Sequence, residues 1–317
     1  MPKERSVLLA PNEAVPFDSR YITYPMMAST KFDGNRLLIR PDGFWSRSLK
    51  PQPNKHLATH FKDLLALAKE LNVVFDCEWY SHEMTFSQMQ SVMRSFAEPI
   101  PVGMSAYVFD MLKLAEWEIG GEPKFDARVK RYTGVLMDGR PANTVIVAQV
   151  PVQTAAQAQE LYQQNLLDGY EGLMLRSPRS KYKHGRCSLR ECIMYKFKEF
   201  VTDDVMIVGF EQQKQMKPEY AESEDRTRDV MGYMERSHKQ EHYEYIEEIG
   251  SVIVKDSNGR QFGACFARGF DPEAQGITWK NREKFIGKMC EIRYMRIGMK
   301  DNPRMAGITR LRPDKDV

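Results

Sequence analysis

The spacing of apolar residues changes character near residue 200. Before that point, strand-like runs at 36–40, 73–80, 105–112, 144–150, 170–176 and 192–200 alternate with stretches of helical period, which predicts a mixed domain of helices and sheets. Two helices stand out. In HFKDLLALAKEL, Phe61, Leu64, Leu65, Ala68 and Leu71 fall on one face; in TAAQAQELYQQNLLDG, Thr154 is placed to cap the start and Gly169 to follow the end. Such stripes are packing surfaces and carry no chemistry by themselves.

After residue 200 the pattern is of strands alone: VMIVGF, then GSVIVKDSNGRQFGACFARGF as a hairpin turning at Asn258-Gly259, then KMCEIRYM. A small β-barrel fits this tail. Residues 211–248, between the first two of these strands, are polar and charge-dense and read as a surface excursion or a partly helical flap. No internal repeat is visible.

Composition narrows the partners. With 317 residues, 42% hydrophobic and 28% charged, the chain can bury two cores. Its 46 basic and 43 acidic residues leave a net charge of only +3, so a polyanion has to be held by a local basic surface. The five cysteines form no Cys-x-x-Cys pair, which argues against a zinc module and a secreted disulfide framework. The N-terminal apolar stretch is too short for a signal segment and no later run reaches membrane-spanning length, so a soluble intracellular protein is expected. His238 and His242 are four apart but sit among Lys, Gln and Glu with no third ligand nearby, and read as a solvated face.

Several short segments combine residue types that chemistry needs. Lys31-Phe32-Asp33-Gly34-Asn35-Arg36 packs a lysine, a carboxylate, a glycine and an arginine into one turn-sized stretch, although Lys-x-Asp-Gly also suits an ordinary surface turn. In VVFDCEWY, Asp76 and Glu78 lie two apart on a strand and share a face, as a metal or ribose site would require. Phe109 precedes Asp110 in an apolar strand and by itself reads as a core aromatic. Glu171 is followed by Gly172, whose missing side chain would let a ligand approach the backbone. In IMYKFKEF, Lys196 and Lys198 point to one face and Tyr195, Phe197 and Phe200 alternate with them, so an anion between the lysines would relieve their repulsion; a solvated edge strand is the plainer reading.

Taken in order, KFDGNR, FDCEWY, YVFDML, EGLMLR and YKFK resemble the motif set of the covalent nucleotidyltransferases, specifically the ATP-dependent DNA ligases. SRSLKPQPN, GRCSLRECIMYKFKEF and the segment DVMGYMERSH through GMKDNPR sharpen the likeness to the small viral ligases, typified by the chlorella virus enzyme.

The resemblance implies an adenylation domain over 1–200, built on antiparallel sheets, and an OB-fold over 201–317 with a latch-like insertion at about 211–248. It implies ATP and Mg²⁺, with Mn²⁺ as a substitute, and a monomer that encircles nicked duplex DNA. Lys31 would become lysyl-AMP, with Lys196 and Lys198 lowering its proton affinity and stabilising phosphate charge. Asp33, Glu78 and Glu171 would serve the metal. Phe109 would stack on adenine, Glu78 would reach the ribose, and Arg36 and Arg186 would bind AMP or the nick phosphate. Arg36, Arg47 and Arg176 are the implied DNA contacts. At the C-terminus, Arg312, Asp314 and Lys315 would orient pyrophosphate, with Arg304 and Arg310 as basic neighbours. Cys77 stands where the family usually has glycine, beside the expected ribose contact Glu78. An RNA ligase, a capping guanylyltransferase using GTP and a non-catalytic nick-binding protein are the alternatives.

Overall fold

The computed structural model describes residues 6–120, 122–139, 141–221, 239–295 and 302–312. The chain divides between Lys198 and Glu199 into two compact units.

The first unit is built on two sheets. One has five strands in the order Gly43–Ser46, Asn35–Arg40, Val73–Tyr80, Ser105–Lys113 and Thr144–Ile146, all antiparallel except the last pair. The other has four antiparallel strands in the order Met194–Lys198, Gly172–Arg176, Met26–Lys31 and Val150–Val152. The single strand expected at 144–150 is thus two, which part at residues 147–149 to serve different sheets. Residues 26–31, absent from the strand-like runs, form the strand that carries Lys31.

Alternation explains how the first sheet separates core from chemistry. Along Val73–Tyr80, Val73, Phe75, Cys77 and Trp79 enter one apolar cluster with Phe61 and with Leu64 and Ala68 of the helix that follows it, while Val74 belongs to a second cluster on the opposite face. Asp76 and Glu78 share that opposite face. Cys77 is buried in the core and points away from both, so the thiol replaces glycine without entering the carboxylate side of the sheet.

The two expected helices form as Lys62–Leu71 and Ala155–Leu167. Thr154 accepts from the Gln157 N–H at 3.3 Å, and Gly169 takes φ +82 just past the end. Further helices run over Phe86–Arg94, opened by a capping box at Thr85, and over Phe125–Gly139. No helix among the described residues is long and apolar enough to cross a membrane.

The second unit is a closed five-stranded barrel, an OB-fold, in the order Val201–Met216, Tyr243–Lys255, Gln261–Phe266, Arg304–Leu311 and Met289–Met295. Val205, Ile207, Val252, Val254, Ile292 and Ile308 fill it. The hairpin turn lies at Asn258-Gly259: Asp256 accepts from the N–H groups of Asn258 and Arg260, and Gly259 takes φ +81. Part of the 211–248 excursion is regular: the first two barrel strands stay paired through Gln215↔Glu244 and Met216↔Tyr243, so the excursion begins as a two-stranded ribbon. Its residues 222–238, His238 included, lie outside the described residues. His242 stacks on Tyr220, with ring centroids 3.8 Å apart.

Candidate active site

Three neighbouring strands lay out the floor of the site in rows. Strand register places Lys31 and Lys198 on either side of Gly172, Ser29 and Lys196 on either side of Met174, and Met27 and Met194 on either side of Arg176. These positions share one face of the sheet, because each row is two residues along from the last. One end of the floor is cationic and the other is two methionines around one guanidinium.

Gly172 makes the cationic row possible. Its φ is +149, and a Cβ there would lie 2.1 Å from the Phe197 carbonyl oxygen, so only glycine admits this pairing. What comes close is the neighbouring strand, not a ligand as its place in the motif had suggested. Gly34 has a similar role in the hexapeptide, since a Cβ would meet the Trp79 carbonyl at 2.6 Å and Glu78 Cγ at 2.8 Å.

Lys31 and Glu171 are ion-paired, and the Glu171 N–H donates to the Lys31 carbonyl at 3.1 Å. The other Glu171 oxygen lies 3.8 Å from Lys198 Nζ. The buried glutamate therefore has its partners in two of the three motif lysines.

The facing wall comes from the five-stranded sheet. Asp76 grips Arg36 through both carboxylate oxygens and accepts from the Tyr182 hydroxyl at 3.0 Å. It is spent on orienting that arginine, whose guanidinium sits 4.6 Å over the Phe109 ring. Glu78, next on the same face, opens onto a cavity of about 190 Å³ together with Lys31, Arg36, Arg47, Phe109, Arg186 and Lys196. Arg186 anchors the cavity edge by donating to the Ala10 carbonyl at 2.6 Å, and Leu8, Leu9 and Ala10 complete that edge.

The cations crowd one another. Burial, then Arg186, Lys198, Lys31 and Arg47, lower the Lys196 pKa to about 8. Burial also lowers the Arg47 pKa, with Arg186 and Arg36 adding to the effect. Burial pushes Glu78 up to about 7 against the pull of Lys31 and Arg36. Such a cavity is an anion trap with one carboxylate poised to meet a cation or a hydroxyl.

Not every expected residue gathers here. Asp33, Glu171 and Lys198 do not line the cavity, and no group of three His, Cys, Asp or Glu side chains that could hold a metal forms among the described residues. Glu78 is the residue that fits a hard cation, being a half-buried carboxylate on the cavity wall with Glu171 close enough to raise its pKa. Arg176 is a correction. It is 6% exposed, ion-paired with buried Asp110 at 2.7 Å and stacked 3.9 Å from the Phe125 ring centre, so it lines the cavity and offers no surface to a duplex.

In the barrel unit, Arg312 pairs with Asp204 and Glu291, and Arg310 also holds Glu291. Asp314 and Lys315 lie outside the described residues. Sequence reasoning missed Tyr182 and the Leu8–Ala10 edge. Neither carries a local signal, since both reach the site through pairings more than 100 residues apart in the chain.

The comparisons with known proteins bear on the family and the fold. Residues 18–198 match the family model described as the ATP dependent DNA ligase domain. Among solved structures, a Lig E DNA ligase described as binding DNA with a minimal scaffold aligns with TM-score 0.63 and 18% identity, over 91% of this chain and 93% of its own. The chlorella virus DNA ligase-adenylate aligns with TM-score 0.51 and 22% identity, over 97% and 99%. At these identities the solved structures speak for the fold. No curated protein matches the sequence.

Proposed function

We propose, from the premise that the chain belongs to the ATP-dependent DNA ligase family, that Lys31 is the group on which the adenylate is carried. The enzyme joins DNA by forming a phosphodiester bond at the expense of ATP. Glu171, hydrogen-bonded to the Lys31 ammonium, takes one proton and frees the Nζ lone pair, which bonds to the α-phosphorus of ATP while the bond to the pyrophosphate oxygen breaks; the second Nζ proton leaves with pyrophosphate. An oxygen of the 5′-phosphate at a nick then displaces Nζ from the same phosphorus. Finally the 3′-hydroxyl attacks the 5′-phosphate and AMP leaves.

The observation that carries this reading is the placement of Lys31 on a cavity that also holds Lys196, Arg36, Arg47 and Arg186. Fixed cations around a transferring phosphoryl group stabilise the charge that grows in its transition state. Phe109 supports the base by stacking, and Glu78 supports the ribose or a divalent cation. Mg²⁺, with Mn²⁺ as a substitute, supplies further neutralisation of phosphate oxygens when bound.

Residues up to about 200 serve as the adenylation domain, and the barrel serves as the OB-fold domain that grips duplex DNA, its 211–248 excursion acting as a latch. Arg47 and Arg186 hold the nick phosphates, and the Arg312, Asp314 and Lys315 tail orients pyrophosphate. The working form is a monomer that encircles a nick. The test is ligation of a nicked duplex with ATP and Mg²⁺, alongside labelling with ATP and GTP separately. Sealing and an acid-labile AMP adduct, both lost in Lys31→Ala, are expected; an adduct with GTP alone would overturn the assignment.

A further inference from the structure

Arg176 is the residue of the site that the reaction above leaves without a task. Its Nη1 is held by Asp110 at 2.7 Å, and Asp110 is held in turn by Arg128, also fully buried. The Nε and Nη2 of Arg176 are buried and have no hydrogen-bond partner. A guanidinium donates and never accepts, so each of these N–H groups is desolvated without return. Buried polar groups in folded proteins nearly always find partners, and an orphan pair on a cavity wall points to an occupant that supplies one.

The floor of the site says which part of an occupant comes there. Arg176 stands four residues along its strand from Gly172, which puts its row roughly 13 Å from the Lys31 and Lys198 row. The lysine end suits phosphates. The Arg176 end is lined by Met174, Met194, Val147 and the Phe125 ring, an apolar slot that suits a flat heterocycle. A nucleotide laid along the strand with its phosphate at Lys31 presents its base to Arg176.

We infer that Arg176 is a base-reading residue, donating one N–H of its Nε–H and Nη2–H edge to a ring-nitrogen acceptor of adenine, with Asp110 and Arg128 fixing its orientation. This rests on the assignment of the cavity to ATP. Asp110 is then a positioning residue: it occupies Nη1, leaving the opposite edge of the fork to the ligand. The arrangement reassigns the last residue of EGLMLR from DNA contact to nucleotide recognition.

The experiment removes one acceptor at a time. The full chain and its Arg176→Met and Arg176→Lys variants are supplied with ATP, 1-deaza-ATP, 3-deaza-ATP, 7-deaza-ATP and GTP, and the KM and rate of lysyl-nucleotide formation are measured for each. One deaza analogue is expected to raise KM in the wild type by roughly tenfold or more, the effect of leaving a buried donor unmet. In Arg176→Met that analogue and ATP become equivalent, at a KM raised for ATP itself. A merely structural Arg176 would weaken all analogues alike, and that result would overturn the inference. Because the wild-type series stands alone, a variant that fails to fold leaves the test intact: equal KM for ATP and all three deaza analogues also overturns it. Absence of any adduct with ATP, or an adduct with GTP only, would instead overturn the assignment of the cavity to ATP. Guanine would offer the same edge O6 and N7, which is why GTP is included.

Discussion

Lys31 and Glu171 hold each other twice, once through an ion pair between side chains and once through the Glu171 N–H on the Lys31 carbonyl at 3.1 Å. The nucleophile of the proposed reaction is therefore positioned by the residue that precedes the neighbouring strand. Glu171→Gln keeps the shape and an acceptor but loses the charge. We predict a 10²- to 10⁴-fold slower adenylation with little change in KM for ATP, the usual worth of a positioned proton acceptor. Single-turnover formation of the AMP adduct measures it, and an unchanged rate would remove Glu171 from the proton path.

Glu78 makes stability depend on pH. Its pKa in the folded chain is about 7, above the ordinary carboxylate value, so the folded state holds a proton that the unfolded state releases at lower pH. The contribution is fully present below the unfolded pKa and is lost as pH rises through about 7. Relative to Glu78→Gln, the wild type should lose at most about 3 kcal/mol of unfolding free energy between pH 4.5 and 7.5, by the linkage of pKa to stability. Urea titrations at several pH values follow it, and parallel curves for the two proteins would contradict the raised pKa of this half-buried group.

Asp76 is buried with Arg36 and Tyr182 as its partners. Asp76→Ala leaves a guanidinium and a phenol without their acceptor, which costs about 3–5 kcal/mol. In a double-mutant cycle with Arg36→Ala, much of that loss should already be present in the arginine variant. Strictly additive losses would show that the two side chains do not act as a unit.

Gly172 and Gly134 form a matched pair of tests. Gly172→Ala drives a methyl to within 2.1 Å of the Phe197 carbonyl at positive φ and should leave little folded protein. Gly134 lies exposed within the helix Phe125–Gly139 with nothing within 4 Å of a Cβ, so Gly134→Ala should stabilise by about 0.5–1 kcal/mol. Soluble yield and thermal melting distinguish them, and a well-folded Gly172→Ala would mean that the strand pairing can slip.

How far each element was legible follows from the range of the forces involved. The helices Lys62–Leu71 and Ala155–Leu167, the Asn258-Gly259 turn and the shared face of Asp76 and Glu78 depend on neighbours within a few residues, and the sequence carries them openly. So do the cation types at Lys31, Lys196 and Lys198. Met26–Lys31 lacks a strong strand composition and becomes a strand because two others pair with it.

The sequence by itself determined which residues could attack a phosphorus and which could surround a phosphate, because side-chain chemistry is local. Tertiary structure alone decided that Lys31 meets Glu171 and that Asp76 holds Arg36 at the cavity. It also put Arg176 on the cavity floor with donors to spare, where the motif had suggested a DNA contact. Pairing across strands distant in the chain sets which side chains share a row, and burial sets which of them still lack a partner. Neither quantity is written in any one segment.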